Sequence, residues 1–443
     1  MNQITTFKLT EEQRSLSKNA KRSLIQQAAV NVFNVSRKGT LNIDTGVGKC
    51  KIAIDIIKKN SSINNILITS PRTNLKENWI GQIYQWFGDE YLIYKDNGLV
   101  YVRDNTRTIT FNITNVQTAY KWYKEDSELN PVFDMIIADE IHTFVTPEYS
   151  KVFSLTHSYT LGLTATPDIN KDEKREIYDY HAPIIFKYNT AQKDGVVNDV
   201  DVIVIDHILD DIFKVVGGSK AKQFLVGESK NYKYLQEQVK KGQIMMSEQG
   251  SSNFFEDAAK WFWNGEGDKD QKTAARIYLT SVMKRKNMLL SLSSTRIIAT
   301  KLKHKLLDNS TNKVLIFSEL TAQANHISKY TVHSGNTKEG NEDKIRMFHT
   351  GNIRELSSCY SLTLGLNMSG ANNAIFESYQ GSHTLATQRK GRLHRLNENE
   401  QATMYVIRVL GTQSQTWFNK FVDEDEINNV VKSSDIINDI WNP

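Results

Sequence analysis

The sequence has 443 residues, enough for two or three domains with cores of their own, and its 39% hydrophobic and 24% charged residues describe a globular protein in water. No apolar run reaches bilayer length, the N-terminus has no basic stretch followed by an apolar core and a cleavage site, and two cysteines, Cys50 and Cys359, are too few for a disulfide framework. A membrane protein and an exported protein are thus not expected, a cytoplasmic location is, and the net charge of +5 is modest.

In chain order, Ser23 to Phe33 has the apolar spacing of a helix and ends shortly before Leu41 to Ile57, LNIDTGVGKCKIAIDII. That stretch reads as a strand, a glycine-bearing turn and a helix opening at the turn. Gly46 and Gly48, with Thr45 and Val47 before and between them, let the backbone close on an anion. The helix N-terminus supplies N–H groups, and Lys49 adds a positive charge for a β- or γ-phosphate. The pattern G-x-x-x-x-G-K-[ST] asks for glycine where Ile43 stands and a hydroxyl where Cys50 stands, so a plain structural turn is the competing reading. Next, Ile66 to Ile68 form an apolar strand running into Ser70, Pro71, Arg72 and Thr73, and a helix carries Leu75, Trp79 and Ile83. TITFNITNVQTAYKW gives a further strand and turn, and VFDMIIADEIHTF a nearly continuous apolar strand that ends in acids. Uninterrupted apolar strands separated by helices predict a parallel sheet covered on both faces, with the site at the strands' C-terminal ends. Asp139 and Glu140 on such an end imply a cation or a catalytic water.

The T-G-V-G-K turn, the Asp139-Glu140-Ile141-His142 tetrad and Thr164-Ala165-Thr166 in LGLTATP resemble, in order, motifs I, II and III of superfamily 2 helicases and translocases, in the DExH branch. The resemblance implies ATP and Mg²⁺, with Thr45 to Cys50 around the phosphates, Asp139 holding the metal and Glu140 positioning and deprotonating the attacking water. Cys50 stands where a hydroxyl would touch Mg²⁺, and a thiol is a poor partner for that hard ion. In the family a glutamine upstream of the turn reads the adenine edge, a role that falls here to Gln26 unless it merely lies on an exposed helix face. His142, Thr164 and Thr166 are implied couplers of nucleotide state to nucleic-acid grip. Pro71, Arg72 and Thr73 take the place of motif Ia, and Asn115 to Thr118, with Gln117, that of motif Ib, both touching a nucleic-acid backbone.

The resemblance continues after AQKDGVVNDVDVIVIDHIL, which looks like the entry into a second RecA-like domain. Residues 211–310 read as an insertion without regular strands, helical, with Phe254, Phe255, Trp261 and Trp263 and then a basic tract. From Gln271 to Ser310 the tract holds Lys272, Arg276, Lys284, Arg285, Lys286, Arg296, Lys301, Lys303 and Lys305 against Asp308 alone, either a solvated helix face or a surface for a polyanion. NKVLIFSE matches motif IV, LTLGLNMSGANNAIFES motif V with Gly365 near the nucleotide, and QRKGRLHR motif VI. Gln388, Arg392 and Arg395 belong to this last motif, whose guanidiniums meet the γ-phosphate's transition-state charge. The resemblance thus implies an α/β chain of two tandem RecA-like parallel-sheet domains, 1–190 and 191–443, with a mainly helical insertion in the second. Within the superfamily the chain looks most like phage branched-DNA helicases, which implies the host cytoplasm and ATP-driven movement on branched or single-stranded DNA with strand separation or branch migration. A duplex translocase that does not unwind, an RNA helicase, or a nucleic-acid-binding protein with a decayed ATPase are the alternatives. A monomer is compatible with all of them.

Overall fold

In the strand Asn65–Ser70, Ile66 and Ile68 enter one buried apolar cluster while Leu67 enters another on the opposite face. Met135–Asp139 repeats this, with Met135 and Ile137 on one side and Ile136 and Ala138 on the other. A period of two with both faces apolar needs cover on both sides, and the fold supplies it. The computed structural model describes residues 4–71, 75–124, 127, 129–167, 169, 172–219, 222–359, 371–380 and 402–441. The chain divides into two compact units, the first made mainly of residues up to Val200 and the second mainly of residues from Asp201 onward.

The first unit holds β1 (Thr5–Thr6), β2 (Lys38–Ile43), β3 (Asn65–Ser70), β4 (Leu92–Asp96), β5 (Leu99–Arg103), β6 (Thr108–Asn115), β7 (Met135–Asp139), β8 (Tyr159–Thr164) and β9 (Ile184–Tyr188). They form one sheet in the order β1-β9-β2-β8-β7-β3-β6-β5-β4. Pairings from β1 to β6 are parallel; β5 and β4 add an antiparallel hairpin at the edge. The hairpin turns at Asn97 and Gly98, both at positive φ, a turn signal that stands in the sequence as Asn-Gly. Helices α1 (Lys18–Ser36), α2 (Lys49–Lys59) and α3 (Leu75–Phe87) cover one face through Ile25, Phe33, Ile52, Ile56, Trp79 and Ile83. Phe144, Phe153 and Tyr178, the last from α4 (Asp172–His181), cover the other.

The second unit has a seven-stranded sheet built from β10 (Val200–Ile208), β13 (Val314–Ser318), β14 (Thr331–Val332), β15 (Glu355–Cys359), β16 (Asn373–Phe376), β17 (Ala402–Leu410) and β18 (Ile427–Lys432), ordered β14-β15-β13-β16-β17-β10-β18. Between β10 and β13 lie the antiparallel pair β11 (Lys214–Ser219) and β12 (Lys222–Gly227) and helices α5 (Glu228–Glu248), α6 (Phe254–Ala258), α7 (Lys269–Leu290) and α8 (Ser293–Asp308). The expectation of an interval without regular strands is thereby corrected: Val215 and Val226 give the pair an apolar inner edge that packs with Leu235, Met288 and Leu289. The interval also divides in two. Helices α5 to α7 share a cluster of their own around Val239, Met246, Ala275 and Tyr278, whereas α8 lays Ile298, Leu302 and Leu306 on the sheet beside Ile316, Ile375 and Tyr405. Among the described residues no helix is long and apolar enough to cross a membrane.

Candidate active site

Strand β2 lies between β8 and β9, so the turn after Ile43 opens at the C-terminal edge where two neighbouring strands part. Gly46 and Gly48 take φ of 87° and 100°, a region that residues with a Cβ enter only at a cost. At Gly48 a Cβ would also come within 2.7 Å of the Gln26 amide nitrogen. That amide, buried on α1, donates to the Val47 carbonyl at 2.7 Å, and Val47 itself is buried in the core. Gln26 therefore props the turn from behind. Lys49 donates to the Ile43 carbonyl at 3.0 Å, across the mouth of the turn. Thr45 is half-buried there, and Cys50 packs against the unit's apolar cluster.

Asp139 ends β7, one strand beyond β8, and is buried. Burial pushes its carboxyl up to about 6, and the neighbouring Glu140 charge pushes the same way. The Trp79 indole, donating to Oδ2 at 2.9 Å, and the Lys49 charge pull it back. Burial likewise raises Asp44, the first residue of the turn, against the Ala191 N–H and again the Lys49 charge. One lysine thus acts on two carboxylates, the buried Asp139 and the half-buried Asp44, beside the turn. Trp79 and Asp44 were not singled out in the sequence: the first has the spacing of a core residue, and the second precedes the motif.

Glu140 sits at φ 54°, a conformation costing about 1 kcal/mol or more in a residue with a side chain, and it turns the chain sharply into His142. His142 Nδ1 lies 3.1 Å from Thr164 Oγ1 at the end of β8 and 3.5 Å from Glu140 Oε2. The same Thr164 oxygen accepts the Thr166 N–H at 3.1 Å. The structure therefore brings Glu140, His142, Thr164 and Thr166 into one bonded chain. Two strands further along, β3 and β6 are paired, and Gln117 donates to the Pro71 carbonyl at 3.2 Å while Asn115 caps the short helix holding Thr118. Arg72 and Thr73 lie outside the described residues, as do Gly365, Gln388, Arg392 and Arg395.

The basic tract is in large part engaged within the second unit. Arg285 donates to Gln236 at 2.5 Å and to Gln413 at 3.1 Å, and Lys286 to Gln380 at 2.7 Å. Lys303, buried, pairs with Glu355 at 2.9 Å, and Lys301 and Lys305 reach Asp439 at 3.4 and 3.7 Å. These acids lie far along the chain, which is why the tract looked unbalanced. Lys272, Arg276 and Lys284 are the ones exposed along α7. Of the aromatics ahead of it, Phe254 and Trp261 pack on the α5–α7 cluster, while Phe255 and Trp263 are exposed.

Two family models match the chain: Type III restriction enzyme, res subunit, over residues 6–169, and Helicase conserved C-terminal domain over residues 297–397. The DNA 3'-5' translocase XPB2 of Sulfurisphaera tokodaii is 25% identical over 394 residues, 86% of this chain and 80% of that protein. A putative ATP-dependent RNA helicase of African swine fever virus is 27% identical over 142 residues, 32% of this chain and 27% of its own length. Among solved structures, S. cerevisiae Dbp5 bound to RNA and ADP BeF3 superposes with a TM-score of 0.54 at 10% identity, covering 97% of this chain and 99% of that one. The fragment of a putative HsdR subunit of a type I restriction enzyme from Vibrio vulnificus YJ016 gives 0.53 at 17% identity, covering 92% and 67%. At such identities the likeness speaks for the fold, two tandem RecA-like domains. Matched in order along that fold, the two family models indicate a superfamily 2 helicase or translocase, and with the relatives they support a nucleic-acid-stimulated ATPase.

Proposed function

We propose that this chain couples ATP hydrolysis to movement along DNA, with strand separation or branch migration as the outcome. The observation that carries it is the constellation at one sheet edge: a phosphate turn with Lys49, the buried Asp139, and Glu140 leading into the His142–Thr164 contact. Lys49 leaves the Ile43 carbonyl for the β- and γ-phosphates, and the turn's N–H groups hold the remaining oxygens. Among the described residues no cluster of three or more acids, histidines or cysteines is set to hold a metal. Asp139 would be the carboxylate that holds Mg²⁺, an ion that keeps most of its water and needs few protein ligands. Bound there, the ion would neutralise charge developing on the phosphates. Glu140 accepts the proton of the attacking water. Because His142 touches both Glu140 and Thr164, a shift at either end is felt at the other. Arg392 and Arg395, from the second half of the chain, supply the charge that meets the transition state.

DNA is favoured over RNA because the relative aligned over most of both chains is named a DNA translocase. The test is ATPase activity with single-stranded, duplex, forked, four-way-junction and RNA substrates, read beside strand-displacement and triplex-displacement assays. Stimulation by DNA with strand displacement is expected. Triplex displacement alone would make this a duplex translocase, and stimulation by RNA alone would overturn the DNA assignment.

A further inference from the structure

Past β9 the chain runs through a strap, residues 189–199, before the second unit begins at Asp201. The strap is tied to the phosphate turn at its near end. Asp44 donates its N–H to the Tyr188 carbonyl at 3.1 Å, and its carboxylate accepts the Ala191 N–H at 2.9 Å. Beyond Ala191 the strap folds back on itself, with Val196 N–H bonded to the Ala191 carbonyl at 2.8 Å and Asp194 N–H to that of Thr190 at 2.9 Å. Side chains from the N-terminal segment then clamp it. Arg14 pairs with Asp194 at 2.9 Å, Lys21 reaches the Asp194 carbonyl at 2.9 Å, Arg22 that of Val196 at 3.1 Å, and Lys18 the Asn198 side chain at 2.6 Å. The last three stand on α1, the helix whose Gln26 props Val47. The turn, the helix and the strap therefore form a closed ring of contacts, and Asp44 is its link between turn and strap.

Asp44 differs from the other links in adjoining Ile43, whose carbonyl accepts from Lys49, the charge that a nucleotide phosphate would recruit. In the structure the Ala191 N–H, and after it the Lys49 charge, compensate the half-buried carboxylate. Once a phosphate shares that lysine, the Ala191 N–H is left as the main stabiliser of the Asp44 charge, and the charge-assisted bond to it tightens. We propose that Asp44 is a positioning residue through which occupancy of the phosphate turn sets the hold on the strap, so that the lead into the second unit firms when nucleotide binds. This rests on the nucleotide reading above, and the test separates the two.

The experiment is hydrogen exchange of residues 188–199 in the full chain, without and with ADP at concentrations shown by calorimetry to saturate each variant. In the wild-type chain ADP slows exchange of the strap by about tenfold. Asp44→Asn is the deciding variant: it keeps an acceptor oxygen for Ala191 but no charge, so strap exchange without ADP stays near wild type and the ADP response disappears. Asp44→Ala speeds exchange in both states. A purely structural Asp44 predicts the opposite for Asp44→Asn, a full ADP response, and that result overturns the proposal. So does wild-type chain that binds ADP with strap exchange unchanged. Absence of ADP binding by calorimetry would instead overturn the nucleotide reading itself.

Discussion

Asp139 carries opposed demands of stability and chemistry in one side chain. Its carboxyl lies at about 6 against an ordinary 3.8, so the native state holds the proton more tightly than the unfolded chain. The stability this contributes is full below pH about 4 and lost as pH rises through about 6. Asp139→Asn keeps an oxygen for the Trp79 indole and removes the buried charge. It should therefore raise the Tm at pH 8 by a few degrees, on a scale of about 2–4 °C per kcal/mol for units of this size, and gain nothing at pH 4. The same substitution should abolish Mg²⁺-dependent hydrolysis, and wild-type kcat/KM at limiting Mg²⁺ should fall about tenfold per pH unit below pH about 6. An unchanged acid limb would remove Asp139 from the metal site. Lys49 is half-buried and bonds to a carbonyl at the mouth of the turn, so Lys49→Ala should abolish hydrolysis with the Tm nearly unmoved. Glu140→Gln should bind ATP and stall.

At the scale of elements, the phosphate turn is held by conformation as much as by packing. Gly48→Ala places a Cβ at φ 100° and against Gln26, and should destabilise the first unit by about 1–3 kcal/mol in urea unfolding. Repeating it on Gln26→Ala removes the clash but not the backbone strain, so part of the loss should persist. Helix α7 divides its charges between packing and solvent. Replacing Lys284, Arg285 and Lys286 together breaks the bonds to Gln236, Gln413 and Gln380, at about 1 kcal/mol each, and should lower the Tm whatever it does to DNA. Replacing the exposed Lys272, Arg276 and Lys284 leaves those bonds intact. If α7 lies along the nucleic-acid path, this second triple should lower the salt slope of DNA binding by about 1 for each phosphate the protein no longer neutralises, with the Tm unchanged. An unaltered slope makes the exposed face a solvated one.

For the whole molecule, the two family models match distant parts of the sequence. The turn, Asp139, Glu140, His142 and Thr164 stand in the first unit, and the motif with Arg392 and Arg395 falls within the residues matched to the helicase C-terminal family. Arg392→Ala or Arg395→Ala should lower kcat by about 10³, with nucleotide affinity falling less. Loss of DNA affinity with hydrolysis intact would make these arginines a basic patch.

What the sequence determined by itself was local. Apolar runs with both faces buried announced a parallel sheet, and Gly46, Gly48 and Lys49 announced the strand, turn and helix that the first unit contains, because a turn's geometry depends on residues that adjoin it. The sheet edge bearing Asp139 and Glu140 was legible for the same reason. Tertiary structure decided which of these groups meet. Nothing in the spacing of Trp79 and Asp139, sixty residues apart, shows that an indole holds the Asp139 carboxylate, nor that His142 reaches Thr164. The basic tract makes the point most plainly: Glu355 and Asp439 pair with Lys301, Lys303 and Lys305 from other elements, and a window of sequence holds one side of a pairing that only the packed chain completes.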